Sequence, residues 1–130
     1  ARQALERSAR GDACSAVRQA AVETRAALSG PGLEPFLKEA LKDADSKVRA
    51  AAVKGLSGMK SPRLAPLFED VFKNDSSYIV QAEALKGIGE SGGRDRVPFL
   101  RQAAAMPSPR NILQRSAEEA IRKIEGGPGR

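Results

Sequence analysis

One short pattern is written four times along these 130 residues, at Val17-Arg18-Gln19-Ala20-Ala21, Val48-Arg49-Ala50-Ala51-Ala52, Val80-Gln81-Ala82-Glu83-Ala84 and Leu113-Gln114-Arg115-Ser116-Ala117. The leading apolar residues are 31, 32 and 33 positions apart. A period of that size belongs to stacked supersecondary units, none of which can bury its apolar face alone. Such a stack exposes much surface for its size, and extended surface suits binding.

Each copy has an upstream companion. Leu33-Glu34-Pro35-Phe36-Leu37, Leu64-Ala65-Pro66-Leu67-Phe68 and Arg96-Val97-Pro98-Phe99-Leu100 align at steps of 31 and 32. Proline is tolerated in a helix's first turn, where its missing N–H has no partner to lose, so Pro35, Pro66 and Pro98 mark helix starts. Asp45-Ser46, Ser76-Ser77 and Ser108-Pro109 offer caps for the second helices, and Gly30, Gly58, Gly89 and Gly126-Gly127 read as their stops. The spacing predicts four helix pairs, at about 1–30, 31–60, 61–92 and 93–125 within a single domain 1–125, followed by a flexible tail 126–130. Aromatic residues are only 4% and period-2 alternation is absent, so no sheet is expected. The fold class is all-α, an α-α superhelix or short solenoid.

Numbering each second helix from its leading apolar residue as zero puts positions 0, +4, +8 and +11 on one side. They read Val17, Ala21, Arg25, Leu28; Val48, Ala52, Leu56, Met59; Val80, Ala84, Ile88, Ser91; and Leu113, Ala117, Ile121, Ile124. Position +7 carries Thr24, Gly55, Gly87 and Ala120, small enough for helix axes to approach closely. Position +5 is Val22, Val53 and Leu85 but then Glu118, which reads as a polar cap on the last unit.

The chemistry of catalysis finds little here. The chain has no His, so it holds no Ser/His or Cys/His nucleophile pair. A zinc site would have to combine the single Cys14 with carboxylates, an implausible donor set. The carboxylate pairs Glu69-Asp70 and Glu118-Glu119 are adjacent and point about 100° apart on a helix. No phosphate-binding Gly-x-x-x-x-Gly-Lys loop occurs. No catalytic residue, metal ligand or cofactor is therefore expected in this chain. No stretch approaches the ~18 apolar residues of a membrane span, and no signal peptide opens the chain. The start on Ala1, not Met, reads as a piece of a longer polypeptide, which leaves the compartment open.

The formal net charge is +6, with eight basic against four acidic residues over 94–130. Phosphate binding needs such charge on one face, but stacking aromatics are scarce and Asp95, Glu118 and Glu119 are interspersed, so nucleic acid is an unfavoured partner. A protein partner is the better expectation. Its candidate surface is the outward side of the second helices, with Arg49, Lys54, Gln81, Lys86, Arg115 and Arg122.

Val48-Arg49-Ala50-Ala51-Ala52-Val53-Lys54-Gly55-Leu56 resembles the second helix of short HEAT-like repeats, Val-Arg-x-x-Ala-x-x-Ala-Leu. The absence of Trp and His sets the chain apart from tetratricopeptide and ankyrin repeats. Asp75 to Gly89, with Met106 to Ile112, is also similar to the carboxyl-terminal HEAT-like region of bacterial zinc aminopeptidases of the aminopeptidase N family. That resemblance implies an appendage packed beside a zinc-binding catalytic domain elsewhere in the polypeptide, shaping substrate access. The alternative is a free-standing interaction scaffold.

Overall fold

The computed structural model describes residues 1–126. Among these there are eight α-helices and no strand: α1 (Arg2–Gly11), α2 (Ser15–Leu28), α3 (Leu33–Ala40), α4 (Ser46–Ser57), α5 (Ala65–Asn74), α6 (Tyr78–Ser91), α7 (Val97–Ala104) and α8 (Ile112–Gly126). Single 3₁₀ turns at Pro62–Leu64, Arg94–Arg96 and Pro109–Asn111 lead into α5, α7 and α8. The helices follow the four sequence repeats pair by pair. They form two compact units, Ala1–Leu56 and Ser57–Arg130. The tail expected to be flexible lies, beyond Gly126, outside the described residues.

Local chemistry explains most helix starts. Pro66 and Pro98 are the second residues of α5 and α7, and Pro35 is the third of α3. All three sit where N–H groups have no intrahelical acceptor. Ser77 caps α6 by accepting from Val80 N–H, and Asp45 Oδ1 accepts from Lys47 N–H at 2.8 Å at the head of α4.

In the first unit Val22, Leu37, Val48, Ala52, Val53 and Leu56 are fully buried. Gly55 of α4 lies so close to α3 and α2 that a Cβ there would stand 3.0 Å from Leu37 and 3.2 Å from Ala26. In the second unit Phe68, Val80, Leu85, Ile88, Leu100 and Leu113 are fully buried, and Phe72 meets Phe99 edge-on at 5.6 Å. Each large apolar side chain so buried contributes about 1.5–3 kcal/mol relative to exposure. Alanines at +4 (Ala21, Ala52, Ala84, Ala117) line these seams and are all buried.

Arg25 occupies the +8 position that Leu56 and Ile88 fill in the next two repeats, and it is fully buried. Its guanidinium is satisfied on every side. Nε pairs with Glu6 of α1 at 2.9 Å, Nη1 donates to the Ser29 carbonyl at 2.6 Å, and Nη2 donates to the Pro31 carbonyl at 2.9 Å. The Phe36 ring lies beneath it, 5.9 Å away. Arg25 thereby holds Ser29, whose φ of 57° and ψ of −154° lie in a region that favours glycine.

Two expectations need correction. Val17 and Leu28 do not point into the core; they are 43% and 49% exposed, and Thr24 is exposed with them. The periodicity is right for an apolar side, but no helix in the first unit covers that side of α2. Gly89 does not end its helix, since α6 runs on to Ser91. It is a crossing point, where a Cβ would come within 2.8 Å of the Ala120 Cα of α8.

Candidate functional site

The polar residues of the repeat converge on the loop before each second helix. Asp12, Asp43 and Asp75 each accept, through Oδ1, the N–H two residues on (Cys14, Asp45 and Ser77), in every case at 2.9 Å. The side chain at position +1 then reaches back over the same loop. Arg18 Nη1 donates to the carbonyls of Asp12 and Ala13 at 2.9 and 3.3 Å, and Arg49 Nη1 donates to those of Asp43 and Ala44 at 2.9 and 3.0 Å. Gln81 Nε2 donates to the carbonyls of Asp75 and Phe72 at 2.9 and 3.3 Å. The fourth copy keeps the idea with other atoms: Ser108 Oγ accepts from Leu113 N–H at 3.0 Å, and Arg115 Nε donates to the Arg110 carbonyl at 3.1 Å.

These contacts satisfy carbonyls that the turn leaves without helical partners, and they tie each second helix to the loop before it. In the first unit the device also links successive repeats. Arg18 Nε and Nη2 grip Asp43 Oδ2 and Oδ1 at 2.9 and 3.0 Å, a two-pronged pair from α2 to the loop before α4. The hydrogen bond from Arg18, aided by the Asp45 N–H and the nearby Arg49 charge, holds the Asp43 carboxyl below the usual carboxylate range against its partial burial. Gln81 does half of an arginine's work: its Oε1 is buried without a hydrogen-bond partner.

The six residues of the candidate surface therefore divide. Arg49, Gln81 and Arg115 turn to backbone carbonyls of their own loops. Lys54, in the first unit, and Lys86 and Arg122, in the second, are exposed. Beside Lys86 the structure adds two residues that the sequence does not single out. Tyr78 and Ile79 at the head of α6 are 44% and 49% exposed, and Ile79 and Lys86, two turns apart, share one helix face.

Several charges of the second unit are committed to internal pairs. Arg96 Nη1 pairs with Glu69 at 2.6 Å, which raises the arginine's pKa, and Arg101 stands 3.6 Å from Glu125. Glu90 takes Lys123 on one side and Lys60, at 3.8 Å, on the other. A shallow, open cleft of about 410 Å³ is lined by Arg94, Val97, Pro98, Arg101 and Glu125. Among the described residues no group of three His, Cys, Asp or Glu side chains could hold a metal ion, and no helix is long and apolar enough to cross a membrane.

No curated protein sequence matches the chain. The solved structure of human deoxyhypusine hydroxylase in complex with glycerol is similar over 99% of this chain and 46% of that one, with a TM-score of 0.77 at 21% identity. The chain thus spans about half the length of that protein, and at such identity the likeness is one of fold. The family profile for HEAT repeats matches residues 2–89, the stretch that contains the first three loop clasps. Paired helices at a 31–33-residue step, clasped at the same loop in each copy, agree with that match, and the chain belongs to the HEAT-repeat family.

Proposed function

We propose that this chain is a non-catalytic HEAT-repeat module that binds protein through the exposed side of α6. The observation that carries the reading is the placement of Tyr78 and Ile79, large and half exposed, on the helix that also exposes Lys86. Aromatic and branched anchors beside a cationic rim have the composition of an interface centre. The clasp residues support the same choice by exclusion. Arg49, Gln81 and Arg115 serve the fold, so substitution there would report on stability and not on recognition.

Ile79→Asp combined with Lys86→Glu, in the full chain, tests this surface. Both side chains are exposed, so the thermal midpoint should move little. Affinity capture from the source cells should lose its partner protein. An undiminished partner would reject α6 as the interface.

In its finer form the reading makes the chain an appendage of a zinc aminopeptidase, with the catalytic domain as partner. The similarity of Asp75 to Gly89 to that family's terminal region supports this form. It requires a His-Glu-x-x-His motif upstream in the complete polypeptide, and a complete sequence without one rejects it. The interaction module would survive that result.

A further inference from the structure

In α8 the residues at 0, +3, +4 and +7 (Leu113, Ser116, Ala117 and Ala120) are all buried. That side of α8 sits on α6, whose Gly89 leaves room only for Ala120. The same four positions in α2 are Val17, Ala20, Ala21 and Thr24, and of these only Ala21 is buried. Val17, Ala20, Thr24, Ala27 and Leu28 instead form a continuous exposed side, within about 100° of arc. No charge interrupts it. Arg18 and Arg25, the cations of this helix, are turned away to Asp43 and Glu6.

The opposite side of the repeat behaves differently. α6 presents Ala82, Leu85 and Gly89, at +2, +5 and +9, all buried. At the same positions α8 carries Arg115, Glu118 and Arg122, all exposed. In α2 an interior-type side is therefore bare, whereas in α8 the opposite side is closed by charge.

We propose that the bare side of α2 is the seat for the second helix of a further HEAT-type helix pair, docked through a small residue as Gly89 of α6 docks on Ala120. The α6–α8 contact identifies the occupant, because α2 repeats the buried side of α8 register for register. It needs a helix with an apolar side and a Gly or Ala at the crossing. The charged side of α8 does not meet that need, which disfavours head-to-tail stacking of identical chains.

Fusing a copy of residues 61–93 ahead of Ala1 of the full chain tests the seat. The fused pair should raise the thermal midpoint of the full chain by at least ~5 °C, as added repeat interfaces do. Val17→Asp with Leu28→Asp should leave the unfused chain's midpoint unchanged and abolish the gain in the fusion. The same pair fused after Gly126 should give no gain. Absence of the N-terminal gain, or its survival in the Val17→Asp/Leu28→Asp fusion, overturns the proposal. So does a dimer of the unfused chain that this double substitution disperses, since the occupant would then be a second copy.

Discussion

At the scale of single residues, the repeat is held by few side chains with several tasks each. Asp43 shows this best: it closes its own turn through the Asp45 N–H and receives both prongs of Arg18 from the preceding helix. Asn at this position keeps the turn acceptor but loses the charge and one of the two oxygens that Arg18 grips. Because the folded carboxyl titrates below its ordinary range, its contribution is complete above the unfolded pKa of about 3.9 and is lost as pH falls through the folded value. Asp43→Asn should therefore melt a few degrees below the wild type at pH 7, with the gap closing as pH drops below about 4. Melts of both proteins across that range check the sign, and a gap that widens in acid would contradict it. Asp12, Asp43 and Asp75 stand five residues before Val17, Val48 and Val80, so the pattern was readable. It does not single these residues out, because an Asp in a polar turn looks the same whether it is solvated or clasped. Arg49 and Gln81 mislead for a related reason: helical angle places them outward, and only the folded-back loop turns them into staples.

Single helices show where one-dimensional patterns suffice and where they stop. Helix pairs, first-turn prolines and the alanine seam follow directly from spacing, because each is a property of one helix and its own periodicity. Gly89 is different. As a glycine near a helix end it reads as a stop, yet its role depends on Ala120, 31 residues further on. The two effects of adding a methyl there oppose each other. Ala in a helix interior is favoured over Gly by about 1 kcal/mol. Against this, the new Cβ would lie 2.8 Å from the backbone Cα of Ala120, which cannot rotate away as a side-chain tip would. Overpacking of that kind costs about 1–3 kcal/mol and should win. Gly89→Ala is expected to destabilise the chain by up to about 2 kcal/mol net in urea titrations. A stabilised variant would mean that α6 and α8 can move apart freely. Val17 and Leu28 teach the complementary lesson. Periodicity identifies an apolar side, but burial depends on whether a neighbour is there.

For the whole molecule the question is what a net charge of +6 is for. Counted along the sequence, the surplus over residues 94–130 resembles the footprint of a phosphate-binding surface. Folding changes that count. Arg96 is bound to Glu69, Arg101 faces Glu125, Lys123 is bound to Glu90, and Arg115 is turned to a carbonyl. A cation already facing a carboxylate adds little outward field and would have to break its pair to meet a phosphate. Exposed pairs are individually weak, at about 0–1 kcal/mol, but what matters here is that their charges cancel at short range. Binding to a polyanion scales with the phosphates neutralised, each adding about 0.9 to the slope of log affinity against log salt for duplex DNA. With Arg94, Arg110, Arg115 and Arg122 as the exposed arginines outside the carboxylate pairs among the described residues of this stretch, it should add a slope no steeper than about 4, and only weak binding is expected. Fluorescence anisotropy of a labelled DNA duplex, titrated at about 50 and about 200 mM salt, measures it. A slope of about 6 or more, with tight binding at low salt, would show that the internal pairs open to receive phosphate, and the proposed protein-binding role of α6 would then have to share the second unit with a nucleic acid.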